Sequence, residues 1–377
     1  MRTAGSALLA LALGGAAASL GAGLGWAAER YVFGRSLRGP DEYVDEPLGG
    51  LRGTPYALAT SDGVQLHVEV DHEGAPGPTV VFCHGYALNQ DVWHFQRRDL
   101  RAGRMVFYDQ RSHGRSGHAK GSTISMARLG RDLGELLDAL APDGPVVLVG
   151  HSMGGMTVMA LADQRPELFG DRVVAVALLA TSAADLGEGM LSLRGAAADA
   201  AYKVGPAAVA IASRQADLIE SVRRSGSDLG YVLTRRYAFG RAEVAPSLVE
   251  FTAAMNAGTP VDVIGDFLPH LGGHDDLEAL AAMSDIPVLV LGAARDRLTP
   301  VEHSRVIVER LPHADYVEIP DAGHMVMLEY PDLVTAHLQA LVARSVQGTT
   351  AAIADPGPPP VPLRRRTPDR RRGARRR

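Results

Sequence analysis

Ser152 lies in the run Gly150-His151-Ser152-Met153-Gly154-Gly155, between the apolar stretch Val146–Val149 and a helix-like segment that begins at Met153. A serine between glycines at a strand-to-helix turn can be held exposed in a strained conformation, because glycine bends the chain without a side-chain clash. The helix that starts there points its amides back at the hydroxyl, which favours negative charge beside it. Such a serine is placed to attack a carbonyl. It is weak alone, so it needs a base, and the base needs an orienting carboxylate.

Both follow later in the chain, each just beyond an apolar stretch. Asp296 comes after Val288–Leu291, in Gly292-Ala293-Ala294-Arg295-Asp296-Arg297-Leu298-Thr299-Pro300. His324 comes after Tyr316–Ile319, in Pro320-Asp321-Ala322-Gly323-His324-Met325. The order Ser152, Asp296, His324 suits loops that leave neighbouring strand ends and meet in one layer. Asp185 and Asp321 are the rival carboxylates. The amide of Met153 is the expected first donor to a developing oxyanion. The second donor is expected from the loop His84-Gly85-Tyr86 after Val80–Cys83, with Tyr86 supplying the amide and Gly85 leaving room for the carbonyl. His84 and His151 read as loop-shaping and packing residues.

These side chains require a scaffold that aligns strand ends. Tyr56–Ala59 and the alternating Val64–Val70, joined through Ser61-Asp62-Gly63, read as an antiparallel pair. Continuous apolar strands follow at Thr79–Phe82, Met105–Tyr108, Val146–Val149, Val173–Leu179, Val288–Leu291 and Tyr316–Ile319. Helical stretches such as Arg128–Leu140 and Met153–Asp163 separate most of them. The expectation is an α/β fold with a mostly parallel eight-stranded sheet and helices on both faces. Roughly a hundred residues between the fourth and fifth of those continuous strands lack a strand pattern and read as helices at Leu191–Asp199, Ala207–Arg214, Ser227–Tyr237 and Pro246–Met255. A helical insertion there is expected to cap the carboxyl ends of the strands and shape a pocket. The expected organisation is a core of residues 54–182 and 286–345, a cap of 183–285, an N-terminal segment of 1–30 and a tail of 346–377.

The chain resembles the capped serine hydrolases of the α/β-hydrolase fold superfamily. Four features carry the resemblance in order: His84-Gly85, the Asp109–Ser116 loop, the Gly150–Gly154 elbow, and the late Asp296 and His324. They cover roughly Tyr56 to Ala343. Ser112 stands where that family usually has glycine. A serine at 152 argues against the epoxide hydrolase and haloalkane dehalogenase branches, whose nucleophile is aspartate. The resemblance implies a structural role for the Asp109–Ser116 loop.

Composition narrows the function further. The chain has 377 residues, 46% hydrophobic and 21% charged, and a formal net charge of −5. Nine arginines and only two acidic residues lie after Val346, so the body is acidic and no specific nucleic acid is expected as a partner. The Pro- and Arg-rich tail is expected to be disordered and suited to an anionic membrane surface. Thr3 to Ala28 has no charged residue and is long enough to cross a bilayer core, so a membrane anchor is expected. Arg30, Arg35 and Arg38 after it put the body on the cytoplasmic side. The alternative is export after signal-peptide cleavage near Ala16-Ala17-Ala18. Cys83, the single cysteine, reads as a buried thiol. No phosphate loop appears, so no cofactor is expected. His270, His274, Asp275 and Asp276 do not form a recognised metal-ligand pattern. The expected activity is a cofactor-independent hydrolysis of carboxylic esters, of small molecules or of lipids such as monoacylglycerol. Peptidase, lactonase, C–C hydrolase and perhydrolase chemistry, and a non-catalytic receptor, are the alternatives.

Overall fold

The computed structural model describes residues 40–119, 124–184 and 228–349. One sheet contains eight strands: β1 (Thr54–Ala59), β2 (Gln65–Asp71), β3 (Thr79–Cys83), β4 (Met105–Tyr108), β5 (Val146–His151), β6 (Val173–Leu179), β7 (Val288–Ala293) and β8 (Asp315–Ile319). Their spatial order is β1-β2-β4-β3-β5-β6-β7-β8. β2 pairs antiparallel with β1 and β4, and all the other pairings are parallel. The winding direction reverses between β3 and β5, which opens a crevice at their carboxyl ends. The Tyr86 loop and the Ser152 turn leave the sheet there.

Helices cover both faces, which explains why the inner strands are apolar without alternation. Val81, Val106, Leu148, Val176 and Val290 pack on one face, with α2 (Met126–Leu140), α3 (Met153–Gln164) and α7 (Val301–Arg310). Val80, Phe107, Val149, Ala177 and Leu289 pack on the other, with α1 (His94–Asp99) and α9 (Pro331–Thr349). On that second face the Phe82 and Phe107 rings stack at 4.5 Å. Cys83 is buried, and burial pushes its thiol pKa up to about 12. The thiol is inert at neutral pH.

The insertion between β6 and β7 contributes α4 (Asp228–Ala238), α5 (Pro246–Gly258) and α6 (Val261–Gly272). The first two match the expected helices. The helices expected at Leu191–Asp199 and Ala207–Arg214 lie outside the described residues. α6 was not expected, because Gly265 and the internal Pro269 disfavour a helix. Its apolar residues Val263, Phe267 and Leu271 recur every fourth position and are buried, so packing overrides propensity. α8 (Val326–Glu329) is a single turn between the His324 loop and α9.

The expected membrane-associated location is corrected. Among the described residues no helix is long and apolar enough to cross a membrane. The longest, α9, carries Asp332, His337 and Arg344 along its length. Thr3–Ala28 and the Arg-rich tail, on which the membrane reading rested, lie outside the described residues.

Candidate active site

The turn at Ser152 is strained. Its φ of 53° and ψ of −121° lie where residues other than glycine rarely sit. Hydrogen bonds from both sides hold it. The Ser152 amide donates to the Leu179 carbonyl of β6 at 3.0 Å, and the Ser152 carbonyl accepts from the Thr181 hydroxyl at 2.7 Å. α3 begins at the next residue, so the Met153 N–H has no carbonyl to bond within the helix. Gly154 lets α3 press against the end of β3: a Cβ there would lie 2.0 Å from the Cys83 carbonyl oxygen. Backbone cannot yield as a side-chain tip can. Gly154→Ala is therefore expected to cost about 3 kcal/mol or more, read as a lower denaturation midpoint at unchanged m-value.

Asp296 and His324 meet directly. The β7 turn buries the Asp296 carboxylate, and Oδ1 accepts the amides of Leu298 and Thr299 at 2.8 and 2.9 Å. Oδ2 lies 2.8 Å from His324 Nδ1 and accepts the Thr299 hydroxyl at 2.8 Å. An ionised carboxylate can only accept, so Nδ1 carries the proton and Nε2 keeps its lone pair. The rival Asp321 accepts the Tyr330 hydroxyl instead, and Asp185 lies outside the described residues. Thr299 ties this pair to the elbow's neighbour strand. Its hydroxyl also lies 2.8 Å from the Ala180 carbonyl and 3.2 Å from His324 Nδ1. Sequence reading passed over Thr299, although an aspartate three residues before a threonine and proline at a helix start is a local turn signal.

His151 joins the serine turn to the histidine loop. Its Nε2 donates to the His324 carbonyl at 2.9 Å, and the two rings are 4.7 Å apart. Burial, reinforced by the neighbouring His324, pushes the His151 pKa well below its ordinary value, so the ring is neutral. The Ser152 hydroxyl is not hydrogen-bonded to the imidazole, a looseness common before substrate arrives.

The chain matches a family model described as the alpha/beta hydrolase fold over residues 78–331, more than half its length. It belongs to the alpha/beta hydrolase fold family. A monoacylglycerol lipase of Mycolicibacterium smegmatis is 28% identical over 266 residues, covering 69% of this chain and 85% of the relative. A 3-oxoadipate enol-lactonase of Acinetobacter baylyi is 27% identical, covering 72% and 90%. A hydrolase structure from Pseudomonas aeruginosa superposes with a TM-score of 0.58 at 25% identity, covering 77% of this chain and 98% of that one.

In this alpha/beta hydrolase the loop after β3 is braced from below. His84 Nδ1 donates to the Gly85 carbonyl at 2.8 Å, and Nε2 accepts the Gln110 amide at 2.9 Å. Both ring nitrogens are occupied by backbone, which leaves His84 no role in proton transfer. The Gln110 side chain returns to the His84 carbonyl at 2.6 Å and accepts the Thr157 hydroxyl of α3 at 2.8 Å. Tyr86 stands on this loop, and its hydroxyl donates to the Ile264 carbonyl of α6. Its ring clusters with those of His113 and Phe267, at 6.2 and 6.4 Å, so the insertion rests on the loop. Asp109 is buried and accepts the amides of Gln90 and Arg115, both at 2.8 Å. That is the structural work the family resemblance implied.

A second carboxylate, Glu329, was also missed from sequence. It is buried behind the histidine loop and accepts three backbone amides: Gly323 at 2.6 Å, Arg241 at 2.8 Å and Gly240 at 3.0 Å. Burial pushes its pKa up, and the three amides work against that push. Gly240 and Gly323 touch so closely that a Cβ on Gly323 would lie 2.4 Å from the Gly240 nitrogen. The Met325 amide donates to the Ala238 carbonyl at 2.9 Å. The end of α4 is thus tied to both sides of His324, directly at Met325 and through the Glu329 carboxylate at Gly323.

Proposed function

We propose that this protein is a serine hydrolase that cleaves carboxylic esters through an acyl-enzyme, with Ser152 as nucleophile, His324 as base and Asp296 as its orienting carboxylate. The observation that carries the reading is the 2.8 Å contact between Asp296 Oδ2 and His324 Nδ1. It leaves Nε2 free to take a proton, and Ser152 is held in a strained, positive-φ turn. His324 removes the Ser152 proton as the oxygen attacks the ester carbonyl. The amides of Met153 and Tyr86 stabilise the oxyanion. His324 then protonates the leaving alcohol, and water releases the acid by the same route. Asp296 stabilises the imidazolium without taking its proton. No step calls for a cofactor.

The helical insertion, residues 183–285, is read as a cap over this site. The contact between Tyr86 and α6 supports that reading. A lipid substrate no longer draws support from a membrane location. Monoacylglycerols and lactones remain in the candidate set because relatives are named for acting on them. The test is labelling with a fluorophosphonate probe beside turnover of a panel of para-nitrophenyl esters, a monoacylglycerol and a lactone. Stoichiometric labelling and turnover of at least one ester are expected. Absence of both labelling and ester turnover in the folded protein would refute the reading.

A further inference from the structure

Five arginines line the seam where the insertion meets the Asp296 and His324 loops. Arg235 and Arg236 close α4, Arg241 follows it, and Arg295 and Arg297 flank Asp296. No carboxylate among the described residues lies within salt-bridge distance of any of them. Elsewhere in the body, Arg97, Arg111, Arg128 and Arg172 face carboxylates at 3.0 Å or closer. Among the described residues the seam arginines bond only to neutral groups. Arg235 donates to the carbonyls of Arg241 and Ala242, Arg241 to that of Glu329, Arg295 to that of Gly240, and Arg297 to that of Arg236.

Those contacts leave the charge uncancelled. A guanidinium has five N–H donors, and a contact with one or two carbonyls leaves others available. Arg236 and Arg295 are exposed. The Arg297 pKa is pushed down by burial and by the charges of Arg236 and Arg235, with Arg295 adding to them. Stapling two loops through carbonyls needs hydrogen bonds, not like charges crowded together. The Glu329 carboxyl feels the Arg235 charge but already accepts three backbone amides. Among the described residues no carboxylate pairs with the cluster, so it is open to an anionic group of a ligand.

We infer that this arginine cluster is a binding site for a carboxylate or phosphate group carried by the substrate, held at the rim beside Asp296 while the ester enters the pocket. The inference deepens the ester-hydrolase reading and rests on it for the reaction. Planar guanidinium groups suit both anions through paired hydrogen bonds. A partly exposed cluster draws charged ligands most strongly at low ionic strength.

Two measurements test it. The first compares kcat/KM for mono-para-nitrophenyl adipate, which carries a free carboxylate, with that for its neutral methyl ester. The wild type is expected to prefer the anionic ester about ten-fold, and the preference to shrink at ~1 M salt. In the double variant Arg236→Gln, Arg295→Gln the ratio is expected to fall to about two or below. Because both rates come from the same variant, a general loss of activity cancels from the ratio. No preference in the wild type, or one that the double variant retains, would overturn the inference while leaving the ester-hydrolase reading intact. The second measurement does not need turnover. Inorganic phosphate is expected to raise the wild-type melting temperature above that in chloride at matched ionic strength, and to lose that effect in the double variant. An equal phosphate effect in both proteins, or none in either, counts against the site even if no ester is hydrolysed.

Discussion

Ser152→Ala is expected to lower kcat on any ester the wild type hydrolyses by about 10⁵–10⁶-fold, and His324→Ala by a similar factor. The double variant is expected to be no slower than either single one, because nucleophile and base act as one unit and either loss removes the whole path. Asp296→Asn should retain more activity, near 10⁴-fold below wild type, since it leaves the serine and imidazole in place but spoils the tautomer that the 2.8 Å contact selects. Stability should move the other way at the turn. Ser152 sits at φ 53°, and among the described residues its hydroxyl makes no hydrogen bond. Alanine inherits the same strain, whereas glycine relieves it. Ser152→Gly is therefore expected to be inactive yet about 1 kcal/mol more stable than Ser152→Ala. Steady-state kinetics and denaturant titration check the set. Residual activity within ten-fold of wild type in Ser152→Ala would remove this serine as the nucleophile.

The parts of the site legible in sequence are those fixed by short-range chemistry. A glycine-flanked serine, and an aspartate and a histidine each just after an apolar strand, announce themselves because the turn and the strand are local. The inner strands were legible because burial on both faces makes Val146–Val149 and Val288–Leu291 uniformly apolar. β5 and β7 run on to His151 and Ala293 because pairing continues past the apolar run. Thr299 and Glu329 were not legible in the same way. Their distant partners, Ala180 for Thr299 and Gly240 and Arg241 for Glu329, lie far away in the chain, and only the closed fold brings them together. α6 was missed because propensity opposed it and tertiary burial won. The membrane expectation failed for a different reason. It rested on an uncharged Ala- and Gly-rich stretch, and the absence of charge permits a bilayer without requiring one.

Glu329→Ala is expected to cost about 3–5 kcal/mol of stability and to lower kcat about 10- to 100-fold, although Glu329 touches none of the proposed reacting atoms. The stability loss follows from the three amides it leaves behind. Gly323, Arg241 and Gly240 would lose a charged acceptor in a buried place, and each unsatisfied donor costs about 1–3 kcal/mol, less what entering water returns. The kinetic loss follows from position. Gly323 precedes His324 directly, Ala238 bonds to the same loop and Gly240 packs against it, so its release would let the imidazole drift from the serine. A misplacement of about 1 Å is enough for a hundred-fold loss. Glu329→Gln separates the two effects. Its amide oxygen can still serve Gly323 and Gly240 from the Oε1 side, while its NH₂ faces the Arg241 amide. It should recover most of kcat and about half of the lost stability. If Glu329 were only core filling, glutamine and alanine would differ in stability but not in kcat. Equal kcat values for the two variants would therefore rule out a positioning role for this carboxylate, and unequal ones would tie the His324 loop to the end of α4.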